Sequence, residues 1–149
     1  MTGAPLIEAR GVSVRYGPRT VLAPTDLAIA AGATTVIVGP NGAGKTTLMR
    51  VLTGELAPAT GAVLFDGTVI ATLSAAALAS RRAVLPQATR LSFPFTVHEV
   101  VRLGCPAGRD DPMRIAALLE RVDLAGFGDR YYQQLSGGEQ QRVQLARVL

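Results

Sequence analysis

An α/β fold is predicted for this 149-residue sequence, and three observations predict it. The first third carries short, partly alternating β-branched runs, as half-buried strands do. A charge-free run, Thr34-Thr35-Val36-Ile37-Val38, leads through a glycine-rich stretch into a segment with helical spacing. From about residue 88 to 135 the pattern is mainly helical. Strands, then a strand-loop-helix unit, then helices make an α/β core with a helical insert.

Each element follows in order. Ile7 to Tyr16 partly alternates apolar and polar, and Gly17-Pro18 breaks it. Thr20-Val21-Leu22 and Leu27-Ala28-Ile29 read as two further short strands, turned by Ala31-Gly32. Thr34 to Val38 reads as a strand buried on both faces of a sheet. Lys45 to Leu56 has helical spacing, with Leu48, Val51, Leu52 and Leu56 on one side. Pro58 to Gly61 is a turn. Ala62 to Phe65 is a strand, ended by Asp66-Gly67. Leu73 to Arg82 is Ala-rich and helical, with Ser74 as its cap. Ala83-Val84-Leu85 is another short strand. Thr96 to Leu103, Pro112 to Val122 and Gly137 to Leu149 read as helices.

Composition excludes several classes. A single cysteine, Cys105, can form neither an internal disulfide nor a multi-cysteine zinc site. The N-terminus shows no basic stretch followed by an apolar one, so no signal peptide is expected. The uncharged run from Leu27 to Gly44 holds Gly32, Gly39, Pro40, Asn41 and Gly42, and makes a poor membrane helix. The net charge is +4, and fourteen of the fifteen cations are Arg. These arginines are scattered, and aromatics make up 5% with no Trp, so a nucleic-acid partner is not expected. The lone lysine is Lys45.

Gly39-Pro40-Asn41-Gly42-Ala43-Gly44-Lys45-Thr46, followed by Thr47, fits G-x-x-x-x-G-K-[ST]. Wrapping a phosphate chain with inward N–H groups forces torsions that only glycine tolerates well. The helix beginning at Lys45 adds unpaired N–H groups and a positive dipole end. Lys45 reaches the phosphates as a compact point charge, which a wide guanidinium could not do here. Thr46 offers a hydroxyl to Mg²⁺.

A second helix start carries a related signal. Ser136-Gly137-Gly138-Glu139 is a capping box, and that holds whatever else is true. Capping does not explain two glycines in a first turn, where each weakens the helix by up to about 1 kcal/mol. They make sense if a phosphate or another backbone must approach.

With both motifs in one chain, the sequence resembles the ATP-binding subunit of ABC transporters, from about Leu6 to Leu149. Leu135-Ser136-Gly137-Gly138-Glu139 looks like that family's signature motif. Gln87 sits where the family has its Q-loop glutamine, and Tyr16 where it has an adenine-stacking aromatic. A finer resemblance runs through Arg81 to Gln87, Phe93 to Val101 and Asp129 to Leu135. These stretches are similar to ATPase subunits of hemin importers, in the wider iron-siderophore and cobalamin group. Gly104-Cys105 departs from the Gly-Arg often found there.

The resemblance implies a P-loop NTPase core of ABC ATPase type, with N-terminal antiparallel β strands and a helical subdomain. Residues 1–87 would form the nucleotide-binding core, 88–135 the helical subdomain and 136–149 the signature helix. ATP and Mg²⁺ are the implied cofactors. Tyr16, Gly39 to Thr47 and Ser136 to Glu139 would bind the nucleotide. Thr46 and Gln87 would serve the metal, and Lys45, Gln87 and Ser136 the chemistry. Two subunits would pair head to tail, so that the signature of one faces the phosphate loop of the other. Transmembrane permease subunits and a substrate-binding protein would complete the system, at the cytoplasmic face of the inner membrane. His98 reads as a solvated helix residue and Cys105 as an unreactive structural thiol.

The family also has an apolar strand ending in Asp-Glu, and a switch histidine beyond it. Neither occurs here, and Val63-Leu64-Phe65-Asp66 comes too early and runs into Gly67. The expectation is the front portion of a larger domain, incomplete at the C-terminus. Alone it would bind nucleotide weakly, hydrolyse little or nothing, and fold with difficulty. Three alternatives stand beside this reading. A small P-loop kinase or GTPase using Asp66 leaves Ser136 to Glu139 unexplained. A DNA-repair or chromosome ABC ATPase usually carries long insertions, but only 48 residues lie between Gln87 and Ser136. A non-catalytic fragment could form half-sites with an intact partner.

Overall fold

The computed structural model describes residues 4–86, 93–105 and 111–149. They form two compact units, Met1–Arg82 and Ala83–Leu149.

The first unit is built on a four-stranded antiparallel sheet. Its strands are β1 (Pro5–Tyr16), β2 (Arg19–Ala30), β3 (Thr60–Phe65) and β4 (Thr68–Val69), in the order β2-β1-β3-β4. Helix α1 (Lys45–Leu52) lays its apolar face on this sheet. Leu48, Val51 and Leu52 join Ala9, Val12, Val14, Leu22 and Val63 in one buried cluster. A fully buried valine such as Val51 contributes about 2 kcal/mol by leaving water. A short helix, α2 (Ala75–Ala79), follows β4, with Ser74 as its N-cap as the sequence predicts.

Several expectations are corrected, one of them at the start of the second unit. The two short strands expected at 20–22 and 27–29 are one strand, β2. Pro24 is tolerated because β2 lies at the sheet edge and its register with β1 shifts on both sides of Val12. There the Gly11 N–H donates to Asp26 Oδ1 at 2.7 Å, so a side chain replaces a ladder partner. Helix α1 ends at Leu52 rather than Leu56. Gly54 takes φ 72°, its N–H donates to Val51 O and that of Glu55 to Arg50 O, which closes the helix.

Thr34 to Val38 is not a strand, and Val36 and Val38 are 74% and 83% exposed. A β-branched, charge-free run reports a preference for a doubly buried strand. It does not supply the neighbouring strands that such burial requires. Ala83-Val84-Leu85 likewise forms no strand.

The second unit holds α3 (Val97–Arg102), α4 (Pro112–Glu120) and α5 (Gly137–Val148). Each lies within the span its periodicity predicts. Val97, Val100 and Val101 of α3 pack with Ile115, Leu118 and Leu119 of α4 and with Val143 and Ala146 of α5. Gly104, just after α3, lies so close to α5 that a Cβ there would overlap the Arg147 carbonyl oxygen. Cys105 is partly buried against the same core. Among the described residues no helix is long and apolar enough to cross a membrane.

Candidate functional site

The phosphate-loop residues run from Gly39 into the first turn of α1. Gly42 and Gly44 take φ values of 84° and 85°, in the left-handed region that favours glycine. Gly44 is doubly constrained, because a Cβ there would sit 2.9 Å from Val21 O of β2. The loop is thus seated against the sheet at its last glycine. Lys45 Nζ folds back over the loop and donates to Gly39 O at 2.8 Å and Pro40 O at 2.7 Å. Its ammonium therefore lies over the turn whose glycines the motif specifies. Thr46 is exposed and Thr47 partly buried in the first turn of α1. Tyr16, at the end of β1, is 54% exposed and faces Arg19 across the β1–β2 turn.

In the second unit Ser136 caps α5. Its N–H and hydroxyl both donate to Glu139 Oε2, at 2.7 and 2.6 Å, and Glu139 N–H donates back to Ser136 Oγ at 3.3 Å. The Ser136 hydroxyl and backbone hydrogen bonds hold the Glu139 carboxyl below the usual carboxylate range. Gly137 and Gly138 have neither a left-handed φ nor any atom within 4 Å of a would-be Cβ. Neither backbone strain nor internal packing requires glycine there. Their N–H groups have no partner among the described residues.

Gln87 lies outside the described residues. Two residues outside the sequence motifs also bear on this helix. Gln140 and Gln144, one turn apart on α5, both hydrogen-bond to Tyr132. The sequence gives Gln144 no signal beyond a polar residue next to the apolar Val143. A cleft of about 640 Å³ also opens in this unit, lined by His98, Met113, Ile115, Ala116, Glu120 and Asp129 among others. Its lining includes none of Ser136 to Glu139.

The phosphate loop and the glycine-opened helix each leave backbone donors at a helix N-terminus, which is an anion-binding chemistry. Comparison with known proteins gives the family. A sequence family described as ABC transporter matches residues 22–149. The hemin import ATP-binding protein HmuV of Rhizobium meliloti is 55% identical over 148 residues, covering 97% of this chain and 56% of that protein. The protein of the same name from Jannaschia sp. is 53% identical over 146 residues, covering 97% and 54%. The chain thus spans about half the length of the curated relatives it matches. A bacterial Atm1-family ABC exporter solved with ATP bound superposes with a TM-score of 0.86 at 29% identity, over 99% of this chain and 28% of that one. A nucleotide-free ATP-binding cassette from an ABC transporter gives 0.82 at 26%, over 97% and 64%. With the family match running from β2 to the end of α5, the chain belongs to the ABC transporter family.

Proposed function

We propose that the chain is part of the ATP-hydrolysing subunit of an ABC importer that takes up hemin or a related iron chelate. The observation that carries the ATPase reading is the first turn of α5. It has two glycines that no described residue requires, and two N–H groups with no partner among the described residues. Such a turn fits a phosphate presented by another molecule.

In this reading Gly39 to Gly44 cradle the phosphates with backbone N–H groups, and Lys45 exchanges its two carbonyl partners for phosphate oxygens. Tyr16 stacks on the base. Ser136, Gly137 and Gly138 face the γ-phosphate held by a second subunit in a head-to-tail pair, and Glu139 keeps that turn capped. Thr46 and Gln87 would hold Mg²⁺, which would neutralise charge developing on the phosphates. Among the described residues no three His, Cys, Asp or Glu side chains cluster to bind a metal.

Residues 1–87 then form the nucleotide-binding core, 88–135 the helical subdomain and 136–149 the signature helix. The helical subdomain meets the permease at the inner face of the membrane, and a substrate-binding protein delivers the cargo. Hemin rests on the names of the relatives.

Lys45→Ala in the full-length subunit is the test of the ATPase reading. Turnover of ATP should be abolished, and undiminished turnover would overturn the assignment of the phosphate loop. Growth on hemin as sole iron source, compared with and without the gene, tests the cargo. Unimpaired growth without the gene would exclude hemin.

A further inference from the structure

The capping box fixes Ser136 relative to its own helix, but it does not fix the direction from which the chain enters. Tyr132, in the 3-10 turn Tyr132–Gln134 just before α5, is the anchor for that entry. Its N–H donates to Phe95 O at 2.9 Å, and Val97 N–H donates to Arg130 O at 2.9 Å, so 130–132 pairs with the residues that open α3. Its carbonyl accepts from Gln140 Nε2 at 3.3 Å, and the same Nε2 reaches Leu135 O at 3.1 Å. Its phenol oxygen accepts from Gln144 Nε2 at 3.1 Å. Two glutamines one turn apart on α5 thus hold both ends of one residue.

The bond to Gln144 is an odd one to keep for stability. Tyr132 and Gln144 are 4% and 3% exposed. Gln144 Oε1 is buried and has no partner among the described residues. Turning the amide over would let the phenol donate instead and would orphan the NH₂, so one end is unpaired either way. A half-satisfied buried amide is worse than an apolar side chain of the same shape. What it supplies is direction, one fixed position of Tyr132 relative to the α5 axis.

We propose that Gln144 and Tyr132 are positioning residues that aim the first turn of α5, acting through Leu135 and Ser136. This rests on the reading of that turn as the element facing the γ-phosphate. The pair is dispensable for folding and needed for turnover.

The test is the double variant Tyr132→Phe/Gln144→Met in the full-length subunit with its permease. It replaces both polar partners by apolar groups of similar size. The melting temperature should stay at or above wild type. The kcat for ATP should fall about three- to tenfold, the range of one net hydrogen bond, with KM for ATP unchanged. A double variant with wild-type kcat overturns the proposal. So does a loss of kcat that tracks a loss of melting temperature, since that marks a structural role only. Ser136→Arg in the same assay separates the two layers. If it leaves turnover intact, the reading of α5 itself fails. If it blocks turnover while the double variant does not, only the positioning role fails.

Discussion

Helices α3 and α5 open with the same device and differ in what lies in front of it. Thr96-x-x-Glu99 and Ser136-x-x-Glu139 are both complete capping boxes. In α3 the next two residues are Val97 and His98. Their N–H groups are taken by Arg130 O and Gly128 O, each at 2.9 Å, and Val97 is fully buried. In α5 the next two are Gly137 and Gly138, exposed, with both N–H groups free among the described residues. One helix start is plugged by the chain's own carbonyls, and the other is left open and stripped of side chains. A capping box therefore says where a helix begins. The residues at the next two positions say whether that beginning is for the fold or for a ligand.

The largest expected effect breaks the comparison at α5. Ser136→Arg fills the open turn with a long cation, and ATP hydrolysis by the full-length subunit should be blocked. Nucleotide binding by the same subunit should be largely intact, because in this reading α5 acts on the nucleotide of the partner. Loss of binding in an equilibrium titration would argue against a site acting across a pair.

A matched set of milder changes sharpens it. Gly137→Ala with Gly138→Ala should raise the melting temperature, since each relieves up to about 1 kcal/mol of helix cost and a Cβ meets nothing. Turnover should fall nonetheless. Thr96→Ala at α3 should do the reverse. It should cost about 1 kcal/mol of stability through the lost cap, read as a lower melting temperature, and leave ATP binding unchanged.

The phosphate loop and the Ser136 capping box are legible in the sequence because they are local; the Thr96 box is equally local but is shown by the structure. Gly42 and Gly44 answer to their own torsions, and Ser136 to a residue three positions on. Strands were less legible where their form depends on partners far along the chain. Thr34 to Val38 has strand composition, yet no strand forms there. Two short strands at 20–22 and 27–29 are expected where one strand forms, because Pro24 between them is compatible with a strand only at a sheet edge. Gln144 is not legible in the sequence for a related reason. Its meaning lies in Tyr132, twelve residues earlier, and in a burial that only the folded unit reveals.

The smallest expected effect is a titration that both boxes share. Glu99 is held below the usual carboxylate range by the Thr96 backbone N–H and hydroxyl, as Glu139 is by Ser136. A carboxylate with a lowered folded pKa contributes stability above its unfolded pKa, and loses it as pH falls through the folded value. The Thr96 and Ser136 amide resonances should therefore shift at a pH below the ordinary glutamate pKa of about 4.3. Midpoints at or above that pH would show that the caps do not hold in solution.

Lys45 is the only lysine among these 149 residues, and its ammonium already sits on two loop carbonyls. The sequence therefore contains a single side-chain amine, placed at the candidate phosphate cradle. An acylating reagent has one ε-amino group to find, and how fast it reacts becomes a direct report on what fills the cradle. A residue selected for its shape in a phosphate loop thus doubles as a one-site chemical label that no engineering had to install.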